Sequence, residues 1–264
     1  AISRKNPSQQ KILASLDRGS QCISGDSAGN IWLGTWNGLY RISAGSRELT
    51  HYTNTSDKDE LSDNQIRCVL EDDFKRTWVG TFRGLDCYDP VTDKWEHYTR
   101  YGDSPNTLSH HSVLSLHKDM QGNIWVGTYY GGVNVFNPNK ASNHFYYAEP
   151  LQEDCLSFPV VGKMTEDDRG KLWICTEGGG LNCYHPDSGI FARYQHRKGD
   201  ITSVGSNNLK SIFYRKENGR LYVGTHFGGL FIFDTKSNKG HTLHHIKGDS
   251  TSLPHEIVND IQEY

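Results

Sequence analysis

The chain has 264 residues, with 28 Lys and Arg against 31 Asp and Glu, for a formal net charge of −3. No basic stripe gathers the positive charge and no apolar run approaches the roughly 20 residues of a membrane helix, which excludes a nucleic-acid footprint and a helical membrane span within this stretch. Aromatic residues make up 11%, which argues against disorder, and an all-β fold of this length commonly forms one domain. The sequence starts at Ala1 without a leader peptide, which does not by itself place the chain in the cytoplasm.

In chain order, one motif appears five times: Ile31-Trp32-Leu33-Gly34-Thr35, Thr77-Trp78-Val79-Gly80-Thr81, Ile124-Trp125-Val126-Gly127-Thr128, Leu172-Trp173-Ile174-Cys175-Thr176 and Leu221-Tyr222-Val223-Gly224-Thr225. The aromatic positions step by 46 to 49 residues, and four-stranded propeller blades repeat at about 40–50. The second unit reads strand by strand. Ile66–Leu70 is β-prone, Glu71–Arg76 is a polar turn, and Thr77–Phe82 is the motif strand. Leu85–Tyr88 follows until Asp89-Pro90 ends it, and Glu96–Thr99 is an outer strand.

The turn before each motif strand recurs as Asp26-Ser27-Ala28-Gly29, Asp119-Met120-Gln121-Gly122 and Asp167-Asp168-Arg169-Gly170, with Lys75 and Lys216 as departures. Asp accepts backbone hydrogen bonds at a turn start and Gly supplies positive φ. A tight hairpin accounts for the pattern without calcium, since no Asp-rich ligand loop follows. The rings of Trp32, Trp78, Trp125 and Trp173, with Tyr222 as a substitute, are expected to wedge between blades.

The six cysteines, Cys22, Cys68, Cys87, Cys155, Cys175 and Cys183, form no CxxC pair, and they read as small buried hydrophobes. The fold expected is an all-β propeller of four-stranded antiparallel blades, one domain or a fragment over 1–264. Blade cores fall near 20–54, 66–100, 113–148, 160–196 and 210–247. Ser252-Leu253-Pro254-His255-Glu256-Ile257-Val258 repeats an earlier lead-in, so a sixth blade begins near 257. Either the chain is a piece of a larger ring, or the segment Lys11–Leu16 completes the last sheet and closes a smaller one, removing exposed sheet edges.

The run Gly122-Asn-Ile-Trp125-Val-Gly-Thr128-Tyr-Tyr-Gly131-Gly132-Val-Asn-Val-Phe136-Asn-Pro138, with the lead-ins Asn106-Thr-Leu-Ser109 and Ser250-Thr-Ser-Leu253, resembles the two-component regulator propeller repeat over roughly residues 20–264. Cys175 for Gly, Tyr222 for Trp and a faint first lead-in depart from that pattern. The resemblance implies the periplasmic sensor region of a hybrid two-component system of the Bacteroidetes type. Seven-bladed propellers, a β-sandwich, a membrane helix and a histidine kinase would then belong to the full protein. Its implied partners are an oligosaccharide or other small ligand, the neighbouring propeller and β-sandwich domains, and a second copy in a homodimer. No nucleic acid, membrane contact, cofactor or metal is expected through this region.

Antiparallel blades put the loops between second and third strands, here called tips, on one face with the lead-ins between blades. The tips carry Trp36-Asn37, Phe82-Arg83, Tyr129-Tyr130, Glu177 and His226-Phe227, and the lead-in pair His110-His111 lies near them. Hairpins do not need aromatic tips, whereas rings beside hydrogen-bonding groups suit sugar recognition in a concave site, and Arg83 could pair with a carboxylate or sulfate. The competing account has the rings packing on the loops beneath or on a partner domain. Adjacent residues on a strand point to opposite faces, so neither His110-His111 nor His244-His245, placed in an outer fourth strand, makes a convincing metal pair. Competing functions are a propeller lyase or other carbohydrate-active enzyme, and an intracellular scaffold. The Trp-Phe-Thr-Glu core, the sialidase Asp box, the quinone-dehydrogenase docking motif and the WD signature are all missing from the sequence, so this region is expected not to be catalytic.

Overall fold

The computed structural model describes residues 19–55, 58–100, 107–139, 143–149, 152 and 154–262. The segment 11–16, a candidate for closing the last sheet, lies outside the described residues. Every named element among them is a strand, and twenty of these strands form five four-stranded antiparallel sheets. Blade one comprises Ser20–Gly25, Ile31–Thr35, Gly38–Ile42 and Leu49–Tyr52. Blade two comprises Ile66–Glu71, Thr77–Thr81, Leu85–Asp89 and Lys94–Tyr98. Blade three has Val113–Lys118, Ile124–Thr128, Val133–Phe136 and Asn143–Tyr146. Blade four has Val161–Glu166, Leu172–Thr176, Gly180–His185 and Ile190–Tyr194, and blade five has Leu209–Arg215, Arg220–Thr225, Leu230–Asp234 and Lys239–Leu243. A small ribbon pairs Asn54–Thr55 with Lys58–Asp59. The first strand of each blade touches the first strand of the next, so the sheets fan out from a common axis as propeller blades.

The motif tryptophans are the wedges. Trp32, Trp78, Trp125 and Trp173 are buried, and each packs on the apolar face of the following blade. Trp32, for example, meets Leu61, Ile66 and Val79. Removing a ring of this size from a core costs about 3–5 kcal/mol. A second device holds each ring. The carboxylate of Asp26 accepts the Trp32 indole N–H at 2.9 Å, Asp72 that of Trp78 at 2.9 Å, Asp119 that of Trp125 at 2.8 Å and Asp167 that of Trp173 at 2.9 Å. The other carboxylate oxygen takes backbone N–H groups of the turn. One side chain thus shapes the hairpin and supplies the acceptor that a buried indole needs.

Blade five lacks both partners: Lys216 stands for Asp and Tyr222 for Trp. Tyr222 is only half-buried, contrary to a core role, and its hydroxyl accepts from Asn218 at 3.1 Å. The physical reason is positional, because each wedge is covered by the following blade, and among the described residues no complete sheet follows blade five. Residues 257–262 carry no strand pairing, yet they are docked. Gly229 N–H donates to the Glu256 carbonyl at 2.9 Å and Val258 N–H to the Thr225 carbonyl at 3.1 Å. Among the described residues nothing covers the opposite face of blade one either, where Ile23 and Leu49 are exposed.

The motif glycines make room beside the axis. A Cβ at Gly34 would collide with the Cys22 thiol and with Ile66 of the next blade, and Gly80 stands in the same relation to Cys68 and Val113. Ser115 and Ser211 fill that slot opposite Gly127 and Gly224. In blade four the small group comes from the other strand: Cys175 is fully buried, while the first-strand residue Lys163 is half-exposed and bonds Asp260. Burial pushes the Cys175 thiol pKa well above its ordinary value, as expected of an inert core thiol. All six cysteines are free, five of them in strands.

Candidate functional site

Each tip is built by the last residue of the motif. Thr35, Thr81, Thr128, Thr176 and Thr225 are buried, and their hydroxyls donate to the carbonyls of Gly38, Gly84, Gly132, Gly180 and Gly229 at 2.7–3.0 Å. The lead-ins then stitch the tips together. Phe82, Tyr129, Glu177 and His226 donate their N–H to the carbonyls of Gln65, Ser112, Val160 and Asn208 in their own blade's lead-in, at 2.8–3.1 Å. Gly38, Gly132 and Gly180 donate to Asn64, Pro159 and Asn207 in the lead-in of the following blade. The glycines that reach across have φ between 71° and 100°, a conformation only glycine adopts without cost. Ser62, Ser109 and Ser157 anchor the lead-ins from below on the third-strand residues Asp86, Asn134 and Asn182, of which Asp86 and Asn182 are fully buried.

This frame holds its rings up. Trp36, Phe82, Tyr129, Tyr130 and Phe227 are all exposed. Tyr130 and Phe227 sit at equivalent tip positions with φ of 68° and 63°, a left-handed conformation that is costly for bulky residues. A series of ring contacts runs from blade two to blade three. Phe82 meets His111 at 6.5 Å, His111 stacks on His110 at 4.3 Å, His110 meets Tyr129 at 6.3 Å, and Tyr129 meets Tyr130 edge-on at 4.7 Å. His226 and Phe227 form a separate pair at 4.2 Å. Trp36 stands on blade one, where the Asn37 carbonyl accepts from His51 at 2.7 Å.

The charged groups divide differently from the sequence expectation. Arg83 is mostly exposed and lies 3.4 Å from the carboxylate of Asp63, and Glu177 pairs with Lys210 at 3.0 Å. His110 accepts the Ser112 N–H on Nδ1 at 3.1 Å. Burial, and then the neighbouring His111, lowers its pKa below the ordinary histidine value, so it is neutral at pH 7. His244 and His245 are not strand residues as expected, since the outer strand ends at Leu243. Glu256 holds both, through His244 Nδ1 at 3.1 Å and His245 N–H at 2.9 Å. His196 makes the same ring contact to Val204 that His245 makes to Leu253, so this is lead-in architecture. No group of three or more His, Cys, Asp or Glu suited to a metal occurs among the described residues.

Three elements of the face escaped sequence reasoning. Phe158, in the lead-in of blade four, lies against Gly178 and supplies the ring that the tip Glu177-Gly178-Gly179 lacks. Arg67 and Lys210 project from the first strands of blades two and five at register breaks between Ile66 and Cys68 and between Leu209 and Ser211. Such a β-bulge leaves one residue unpaired and re-aims its side chain.

Comparison with known proteins follows the same geometry. Residues 60–83 and 107–130 match the two component regulator propeller family, and each match runs from a lead-in to a tip. The extracellular domain of one hybrid two component system from B. thetaiotaomicron superposes with a TM-score of 0.73 at 20% identity, covering 95% of this chain and 32% of that one. A second from the same organism gives 0.69 at 22% identity, with 88% and 32% covered. This chain therefore spans about a third of the length of those structures. Virginiamycin B lyase from Staphylococcus aureus, with quinupristin, gives 0.63 at 14% identity, with 90% and 73% covered. At these identities the likeness is one of fold. No curated protein sequence matches the chain.

Proposed function

Since the chain carries two-component regulator propeller repeats, we propose that it is a non-catalytic, ligand-sensing propeller of a hybrid two-component regulator. On this reading it lies on the periplasmic side of the inner membrane and detects an oligosaccharide released from a polysaccharide. Neighbouring propeller and β-sandwich domains, and a second copy of the chain, are its protein partners. The extracellular domains that share its fold support the placement outside the cytoplasm, and among the described residues no helix is long and apolar enough to cross a membrane.

The observation that carries the reading is the set of exposed rings held on a rigid frame, two of them in a strained backbone conformation. Strain of this kind persists at functional sites because the surroundings over-determine it. Flat rings beside Asn37, Glu177, His110, His111 and His226 offer stacking surfaces and hydrogen-bonding groups to a sugar.

Isothermal titration against an oligosaccharide panel, with product analysis of each mixture, tests the proposal. The expected result is binding without turnover. Tyr130→Ala and Phe227→Ala should each weaken the bound sugar about three- to tenfold, the worth of one aromatic contact, with no loss of thermal stability. Unchanged affinity in both variants would remove the tip face as the site. Product formation would bring forward a propeller lyase, a reading that rests on the fold shared with virginiamycin B lyase.

A further inference from the structure

The tip face carries an electrostatic feature that ring stacking does not use. Arg67 is the unpaired residue of a β-bulge, so its side chain leaves the sheet alternation and rises toward the tips. Its guanidinium lies 5.0 Å from the centre of the Phe82 ring, a cation–π contact that fixes the head without using its hydrogen-bonding edge. Two carboxylates make themselves felt at this position, Asp63 and Glu177. Both are engaged elsewhere, Asp63 with Arg83 and Glu177 with Lys210. Among the described residues no carboxylate or carbonyl accepts from the Arg67 head. Burial pulls its pKa below the ordinary arginine value, as expected of a cation short of water. The five groups Arg67, Arg83, Lys210, Asp63 and Glu177 therefore leave one positive charge uncompensated, and geometry assigns it to Arg67.

A half-buried guanidinium without a partner is costly to keep. Planar, with paired N–H groups in a fixed fork, it suits a carboxylate or sulfate oxygen pair. We propose that Arg67 is an anion subsite of the tip face, taking a carboxylate or sulfate group carried by the sugar ligand, with Phe82 beneath it and the His111, His110 and Tyr129 rings beside it. The subsite deepens the sensor reading and rests on it. It also moves the anion-recognition role from Arg83, which is exposed and paired, to a residue that only the bulge reveals.

The test follows the Arg67 Nε–Hε signal by NMR in chain carrying isotope-labelled arginine, titrated with sodium glucuronate, with galactose 6-sulfate and with neutral methyl glucoside. The signal is assigned by its loss in Arg67→Lys. The expected result is a saturable shift with the charged sugars and none with methyl glucoside, and the tighter of the two charged probes tells a carboxylate from a sulfate ligand. By isothermal titration with the same sugars, Arg67→Met, which keeps the stem, should bind the charged probe about ten- to hundredfold more weakly, the worth of a charge-assisted hydrogen-bonded contact, at unchanged thermal stability. Arg67→Lys, which keeps the charge without the fork, should fall between.

Equal shifts with the neutral sugar, no shift with either charged sugar, or full affinity in Arg67→Met would each overturn the subsite. If neutral oligosaccharides bind the tip face at the same time, the sensor reading survives that outcome. Absence of binding by every sugar, charged or neutral, would defeat both.

Discussion

The two faces of the propeller use their loops for opposite ends. On the turn face, between first and second strands, side chains bond to one another. Four aspartates hold four indoles, and the turns of blades one to four reach the next blade, through Ser27 N–H to Glu71, Lys118 to Asp73, Met120 N–H to Glu166 and Tyr214 hydroxyl to Asp168. On the tip face backbone bonds tie the tips to the lead-ins, and the rings of Trp36, Tyr130 and Phe227 are left exposed. Polar groups that satisfy one another give rigidity, and a face whose backbone is already satisfied has side chains free for a ligand.

Removing one latch should have the largest effect. Asp72 is buried and accepts from Trp78, from Arg76 and from two backbone N–H groups. Asp72→Ala is expected to cost about 2–4 kcal/mol in urea unfolding, because it orphans a buried indole N–H. Lys216→Ala, at the corresponding place in blade five, should change stability by about 0.5 kcal/mol or less. Equal losses at the two positions would erase the distinction between a latched and an unlatched blade.

Acid should weaken the turn face in a traceable way. Burial raises the Asp26 carboxyl pKa, but hydrogen bonds from Asn30 and Trp32 outweigh it and hold the group below the usual carboxylate value. Since the native pKa lies below the unfolded one, this contribution is complete above the unfolded value of about 3.9 and fades as pH falls through the native value. The stability gap between the parent chain and Asp26→Asn, followed by thermal melts, should therefore shrink as pH drops below about 4. A gap that stays constant would show that the carboxylate charge adds nothing to the latch.

The smallest effect has the opposite sign. Tyr130→Gly relieves a left-handed tyrosine at the price of a looser unfolded chain, and a net gain of about 0.5–1 kcal/mol is expected in the same unfolding assay. The variant should bind sugar more weakly while being more stable. A loss of stability would mean that the ring packs for structure.

Much of the architecture was legible because its signals are local and repeated. Trp32, Trp78, Trp125 and Trp173 announce the blade period, and the turn Asp and Gly mark one hairpin. The Asp-to-Trp spacing of six was also in plain sight, but its meaning needs the hairpin folded, since only then does the carboxylate come under the indole. That Lys216 and Tyr222 depart together becomes intelligible for the same reason. The tips could be read as aromatic, yet nothing local separates the paired Arg83 from the unpaired Arg67. That difference depends on a one-residue slip in strand register and on Asp63 and Lys210, which come from other segments. Phe158 was invisible because its role is to fill a gap left by Gly178, twenty residues along the chain.

The lead-ins have a mechanical consequence. The stretch from Pro159 to Val160 accepts an N–H from Gly132 of one blade and from Glu177 of the next, and the stretch from Asn207 to Asn208 accepts from Gly180 and His226. A hairpin end drawn inward would drag the strap it shares, and the strap would drag the following hairpin end. Displacement would therefore pass along blades three, four and five, and the last recipient here is the strap through Glu256, tied to Gly229 at the point where the chain leaves the fifth sheet.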